Sequence, residues 1–176
     1  MGRDAESGAF REWRRVALPL VRSRGVVVFA IEHLSPPELL ALVPPTGDPA
    51  AAVAALDHAV VRTRAPEAAR AFYGEALGLR LALDREFPEW GARLLFFRVG
   101  GVTVEVAAPL GAAPAPDAGD RLWGLSWRVG DAEAARARLA GAGFDVSPVR
   151  PGRRPGTRVA SVRDGTLGVP TLLISG

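Results

Sequence analysis

The sequence predicts an α+β fold, two βαβββ modules in tandem preceded by a β-hairpin extension, and three observations predict it. The pentapeptide EAARA at Glu67–Ala71 returns 66 residues later at Glu133–Ala137. The same offset lays Leu56 on Leu122, His58 on Gly124 and Arg62 on Arg128, so the repeat extends beyond the pentapeptide. Around each copy the hydrophobic pattern runs in one order: a β-rich run, a helical stretch, then three further β-rich runs.

The first fifty residues are not needed by that repeat. FREWRRVALPL, a turn at SRG and VVVFAIEHLSPP read as a two-stranded hairpin. A lone hairpin is marginally stable, so it is expected to pack on the main sheet or across a dimer. Pro44, Pro45, Gly47 and Pro49 form the linker, which makes residues 1–50 an extension and 51–176 the principal domain. Gly25 with the strand ending at Glu32 resembles the stretch from Gly101 to Glu105, as the tail of another module would. Glu32 and His33 are adjacent in a strand and point to opposite faces, which marks them as surface or interface residues rather than a metal pair.

In the first module, residues 56–109, LDHAVVRT is the opening strand and Pro66 occupies a first helical turn, where a missing N–H costs nothing. Ala69, Phe72, Tyr73 and Ala76 recur at helical spacing and Gly78 ends the helix. LRLALDREF, ARLLFFRVG and VTVEVAA follow as strands, separated by FPEWG and a Gly-Gly turn. LGAAPAPDAGD, residues 110–120, links the copies. In the second module, residues 121–176, Asp131 is the expected N-cap, Ala132, Ala135 and Leu139 the buried stripe, and Gly143 the helix end. FDVSPV, RVASVRD and VPTLLIS supply its three strands.

Composition narrows the function classes. Hydrophobic residues make up 48% and charged residues 23% of 176, the balance of a chain that buries a core. No run approaches the roughly 18 apolar residues of a membrane helix, and acids stand where a signal peptide would carry its apolar core, so a cytoplasmic protein is expected. The absence of cysteine excludes disulfides, thiolate metal sites and cysteine nucleophiles. Lysine, asparagine and glutamine are absent too; all 22 basic residues are arginine, which explains a pI of 10.7 at a formal charge of only +3. A G+C coding bias or avoidance of heat-labile side chains gives the same composition. The basic residues are scattered among 19 acids, so nucleic acid is not the expected partner. PGRRPGTR, residues 151–158, is the local exception; it reads as a solvated hairpin loop, with phosphate or carboxylate recognition through Arg153, Arg154 and Arg158 the sharper alternative. GAGFD follows a helix, whereas a dinucleotide fingerprint must follow a strand.

Two such copies, carried most specifically by LDHAVVRT, AFYGEALGLRL and LLFFRVGGVTVEV, resemble the vicinal oxygen chelate superfamily of glyoxalases, bleomycin-resistance proteins and extradiol dioxygenases. The resemblance covers roughly residues 56–176. It implies that each module curls into half of an open barrel, that the halves enclose a small-molecule cleft, and that the chain forms a homodimer. It also implies a metal site with a histidine from each module's first strand and a carboxylate from each last strand. His58 and Glu105 match those positions in the first module, and Thr103 shares their face. In the second module Gly124 and Leu172 stand in their places, with Ser126 and Arg128 the remaining polar residues on that strand's cleft side. A hydroxyl and a guanidinium are poor ligands for a divalent ion.

His58 and Glu105 are therefore the candidate ligands for one divalent metal (Zn, Ni, Mn or Fe), and equally read as a hydrogen-bonded pair without metal; Thr103, Ser126 and Arg128 are the candidate ligand-binding residues. No residue is assigned a catalytic role. Extradiol chemistry needs two histidines and glyoxalase isomerisation a second carboxylate, neither of which survives. Trp123 and Trp127 lie on the parity opposite Gly124 and Ser126 and are expected in the core. Trp90, in the FPEWG loop, lies over the cleft or on its edge. The leading reading is a cleft that binds a small anionic or carbonyl-rich molecule; the rivals are a metal-dependent lyase or isomerase using His58 and Glu105, and a catalytically inactive interaction subunit working through the N-terminal hairpin.

Overall fold

The computed structural model describes residues 2–3, 8, 10–39, 47–113, 115 and 118–176. The chain divides into two compact units, residues 1–44 and 45–176. Pro44 and Pro45 of the expected linker lie outside the described residues, as do Pro114, Pro116 and Asp117 of the inter-module segment.

In the first unit β1 (Gly2–Arg3) pairs with β2 (Phe10–Arg11), and β3 (Trp13–Ala17) pairs antiparallel with β4 (Phe29–His33). The turn between β3 and β4 uses Gly25 at φ 90°, a conformation that side chains resist. Trp13 sits opposite His33 and Arg14 opposite Glu32, so Glu32 faces a cross-strand arginine at 4.0 Å on an exposed hairpin.

The second unit holds β5 (Val53–Arg62), α1 (Pro66–Arg70), β6 (Arg80–Phe87), β7 (Ala92–Val99), β8 (Val102–Pro109), β9 (Arg121–Val129), α2 (Ala132–Gly141), β10 (Arg150–Pro151), β11 (Arg158–Val162) and β12 (Thr171–Ser175). All eight strands join one open sheet in the order β10-β11-β12-β9-β5-β8-β7-β6. Each module thus contributes four neighbouring strands, with its first and fourth parallel. That pairing requires a crossover connection, which the helix and two further strands supply. The opening strands β5 and β9 meet antiparallel at the centre. There His58 pairs with Ser126 and Val60 with Gly124. The 66-residue offset exchanges these two pairs, so a pseudo-two-fold axis runs between the strands.

The repeat is energetic as well as topological. The first-turn glutamate of each EAARA copy pairs with an arginine on its module's third strand, Glu67 with Arg93 and Glu133 with Arg158. Asp131 caps α2 as expected, accepting from the N–H groups of Glu133 and Ala134 at 2.7 and 2.9 Å. Ala132 and Ala135 are buried and pack with Val129 and Leu173, flanked by Trp127 and Leu139. In the first module Tyr73 meets Phe72 edge-on at 5.0 Å and Phe97 at 5.6 Å, with Ala69 fully buried on the same helix. Burying side chains of this size stabilises by about 1.5–3 kcal/mol each.

Two local expectations shift. The first helix widens after Arg70 into a π-helical stretch, Ala71–Ala76, closed by the Leu77 N–H donating to the Phe72 carbonyl five residues back. The wider turn advances each residue by a smaller angle, so Ala76 falls off the buried stripe and is exposed. FDVSPV does not form a continuous strand either. Asp145 and Ser147 bond to β11 and its continuation, Val146 bridges to Val162, and pairing resumes only at Arg150. Pro148 has no N–H to continue the ladder. Among the described residues no helix is long and apolar enough to cross a membrane.

Candidate functional site

Which face of the sheet is free follows from the core. Trp127 and Val129 of β9 pack on α2, and Phe97 of β7 packs on Tyr73 of the first helix. Ser126 and Arg128 therefore point to the opposite face, as does Phe96. Residues directly opposite in a ladder share a face, and Glu105 lies opposite Phe96, Thr103 opposite Arg98 and also opposite His58. His58, Thr103, Glu105, Ser126 and Arg128 thus converge on the helix-free side at the pseudo-two-fold axis.

Their contacts sort them. Ser126 Oγ lies 2.8 Å from His58 Nε2, and Glu105 Oε2 lies 3.7 Å from the same nitrogen. The hydroxyl of buried Thr103 accepts from Arg98 Nη1 at 2.6 Å, so it braces the neighbouring strand before it meets any ligand. Arg128 is half exposed and is held by Asp57 at 3.2 Å.

Asp57 was not among the expected residues, because strict alternation sends it to the face opposite His58. The ladder between β5 and β9 slips at this point: Leu56 pairs with Trp127 and His58 with Ser126, which leaves Asp57 as the extra residue of a β-bulge. A bulge re-aims side chains. Asp57 Oδ2 reaches His58 Nδ1 at 2.8 Å, and its other oxygen takes Arg128. The carboxylate fixes the ring with Nδ1 as donor, leaving the Nε2 lone pair for the Ser126 hydroxyl. Ser126 is 2% exposed, too buried to meet a ligand as a nucleophile; it steadies the imidazole instead.

The electrostatics divide the two carboxylates. Burial alone would raise the Asp57 pKa, but its hydrogen bonds and charge interactions with His58 and Arg128 outweigh burial and hold it below the ordinary carboxylate range. Glu105 goes the other way. Desolvation pushes its pKa up, and electrostatic interactions with His58 and Arg153 only partly offset this. A carboxyl that resists ionisation beside an imidazole is the kind of group that exchanges protons with a ligand.

Arg153 is a residue that the motif PGRRPGTR offered but the expected site left out. The three arginines of that motif have separate fates. Arg154 donates to the Gly176 carbonyl, Arg158 pairs with Glu133, and Arg153 lays its guanidinium 4.3 Å over the Trp90 ring. The second module's hairpin therefore touches the first module's FPEWG turn, with Arg153 close enough to Glu105 to act on its charge.

A divalent metal fits these donors poorly. His58 and Glu105 are two ligands, and Nε2 already has a hydroxyl partner. Among the described residues no group of three or more histidine, cysteine, aspartate or glutamate side chains is arranged to hold an ion. Across the axis the positions are closed as well as empty of donors. A Cβ on Gly124 would lie 2.7 Å from the Pro170 carbonyl oxygen, which accepts from the Leu125 N–H at 2.9 Å. Leu172 faces Ser126 in the register that Glu105 holds to Val60, with a hydrocarbon in place of the carboxylate.

The family model described as Glyoxalase/Bleomycin resistance protein/Dioxygenase superfamily matches residues 57–160. The chain belongs to this superfamily. Among solved structures, the methylmalonyl-CoA epimerase of Mycobacterium tuberculosis is similar at 21% identity and a TM-score of 0.60, covering 77% of this chain and 93% of its own. That of Streptomyces coelicolor, a single-residue variant in complex with 2-nitronate-propionyl-CoA, is similar at 19% identity and a TM-score of 0.59, covering 71% and 99%. A hypothetical protein of Bacillus halodurans follows at 22% and 0.58, covering 69% and 93%. At these identities the likeness is one of fold. A search of curated proteins returns no match. The glyoxalase-superfamily architecture expected from the repeat is thus established, with its two modules and open sheet.

Proposed function

We infer that this glyoxalase-superfamily protein binds a small organic molecule, anionic or carbonyl-rich, on the helix-free face at the junction of its modules. The observation that carries this reading is the convergence of His58, Ser126 and Glu105 on the helix-free face, with Asp57 orienting the imidazole from behind. Glu105, a carboxyl that resists ionisation, offers a proton-exchanging group to a carbonyl oxygen or an acidic C–H beside the imidazole that Asp57 and Ser126 hold in place, and Phe96 stands across the ladder from it. Solved relatives named as methylmalonyl-CoA epimerases support a ligand with an activated carbonyl, without fixing its identity.

The test is thermal stabilisation of metal-stripped protein by a panel of small carboxylates, phosphates, ketones and thioesters. A ligand at a hundred times its Kd stabilises by about 2.7 kcal/mol, or roughly 5–10 °C for a chain of this size. The expected result is a shift of that order with at least one compound, lost in His58→Ala. A panel that shifts nothing without metal but shifts Tm once zinc, nickel, manganese or iron is bound stoichiometrically would return the function to the metal-dependent lyase or isomerase. A panel inert in both buffers, with a stable complex that needs residues 1–50, would make the chain an interaction subunit. Homodimerisation and a cytoplasmic setting are part of the same proposal, checked by light scattering and cell fractionation.

A further inference from the structure

On the rim of the cleft four side chains from both modules form a column. Arg153 lies 4.3 Å over Trp90, Trp90 stacks on Phe87 at 4.4 Å and 12°, and Arg85 caps Phe87 at 5.1 Å. Phe87 ends β6 and Trp90 follows in the turn Pro88–Trp90, which Gly91 closes at φ 59°. A short rigid turn thus presents the indole as a shelf.

The arm that reaches this shelf is equally built. The Gly152 N–H donates to the Thr157 carbonyl at 2.8 Å, and the Thr157 hydroxyl donates to the Arg154 carbonyl at 2.6 Å, which locks the hairpin between β10 and β11. A side chain at Gly152 would collide with that hydroxyl. Two of the three arginines here are tied off, Arg154 to Gly176 and Arg158 to Glu133. Among the described residues Arg153 has the Trp90 ring and no hydrogen bond or ion pair. A guanidinium resting over a ring without a hydrogen-bond partner keeps its N–H donors for a two-point contact with an oxyanion.

We propose that Arg153 is the anion-recognising arm of the cleft: shelved on Trp90 across the module boundary, its free edge takes a carboxylate or phosphate group of the ligand while the ligand's carbonyl end reaches Glu105, beside the fixed ring of His58. The inference rests on the reading of the helix-free face as a small-molecule site and deepens it by naming the ligand class. It also explains a chain in which the metal positions of the second module are closed: a fixed cation supplied by Arg153 holds the ligand where no second pair of metal ligands exists.

The test titrates metal-stripped full-length protein with pyruvate, inorganic phosphate and the neutral control acetamide, following heat of binding and the Arg153 Nε–H resonance. At least one oxyanion should shift that resonance saturably, and acetamide should not. Arg153→Ala should weaken the oxyanion about 10- to 100-fold, the loss typical of a charge-assisted bidentate contact. Arg153→Lys should recover only part, because an ammonium neither stacks nor forks, and Trp90→Leu should weaken binding less than Arg153→Ala. Arg154→Ala, on the same hairpin, should change affinity less than about twofold, since that side chain is already tied to the Gly176 carbonyl. Stronger phosphate than pyruvate binding would identify a phosphorylated ligand, and the reverse a carboxylic acid; either supports the arm. Equal losses in Arg153→Ala and Arg154→Ala would reduce the effect to surface charge and overturn it, as would oxyanion binding that survives Arg153→Ala. If no oxyanion binds while a neutral carbonyl compound still stabilises the protein in a His58-dependent way, the arm is wrong and the cleft stands. If no compound binds in any buffer, both fail.

Discussion

The carbonyl of Pro170 occupies the space that a side chain at Gly124 would need, with 2.7 Å between that oxygen and an ideal Cβ. The missing second histidine is therefore a matter of backbone packing as well as of residue type. Gly124→Ala is expected to force the strands apart and to lower stability by about 1–3 kcal/mol, the usual range for overpacking a buried position. Denaturant unfolding measures it. Gly124→His combined with Leu172→Glu should destabilise further and gain no stoichiometric zinc by elemental analysis.

Glu105→Gln should raise stability at neutral pH. The folded-state pKa of Glu105 is raised by burial, so the favourable contribution of its neutral form is present below the ordinary value of 4.5 and is lost as pH rises through the folded value. The amide removes that loss. The expected gain in Tm is on the order of 2–4 °C at pH 7 and shrinks towards pH 4, and ligand binding should fall in the same variant. A Tm difference that does not change with pH would contradict the assignment.

His58 should exist, when neutral, as the tautomer protonated on Nδ1, because Asp57 accepts there and Ser126 faces Nε2. Nitrogen chemical shifts of the imidazole report this directly. Asp57→Ala should release the ring into a mixture of tautomers. Ser126→Ala should keep the tautomer while costing about 1 kcal/mol for the lost hydrogen bond.

Asp84 and Arg93 form a two-point pair at 2.7 and 2.8 Å that also anchors Glu67, joining the first helix to the sheet. The hydrogen bond from Arg93 is the main cause that lowers the Asp84 pKa. A depressed carboxylate stabilises above its unfolded value, near 3.8, and that stability disappears as pH falls through the folded value. Asp84→Asn should therefore cost about 1–3 kcal/mol at pH 7 and progressively less below about pH 4. Equal destabilisation at pH 7 and pH 3 would argue for lost packing instead of lost charge.

Where sequence and structure part company is visible in single residues. The capping of α2 by Asp131 and the buried Ala132–Ala135 stripe are local events, set by backbone N–H groups and helical spacing within a few residues, and they were legible in the chain. His58, Glu105 and Ser126 share a face because strand alternation has period two, and that too was legible. Asp57 was not. Its side chain turns towards His58 only because β5 carries one residue more than β9 at that point, and a bulge is decided by the pairing of two strands. Ala76 and FDVSPV failed for similar reasons, a widened helical turn and a proline that interrupts the ladder.

The sequence by itself determined the tandem βαβββ plan, because a 66-residue repeat of hydrophobic period and turn chemistry can bury its apolar faces in few ways. It also determined that one module keeps its polar pair and the other does not. Only the tertiary structure decided what those residues do to one another. Desolvation of Glu105, the tautomer imposed on His58, the closure of Gly124 by Pro170 and the stacking of Arg153 on Trp90 all depend on distances between atoms far apart in the chain. Electrostatic and packing energies change steeply over an ångström, a scale that residue type and spacing do not carry.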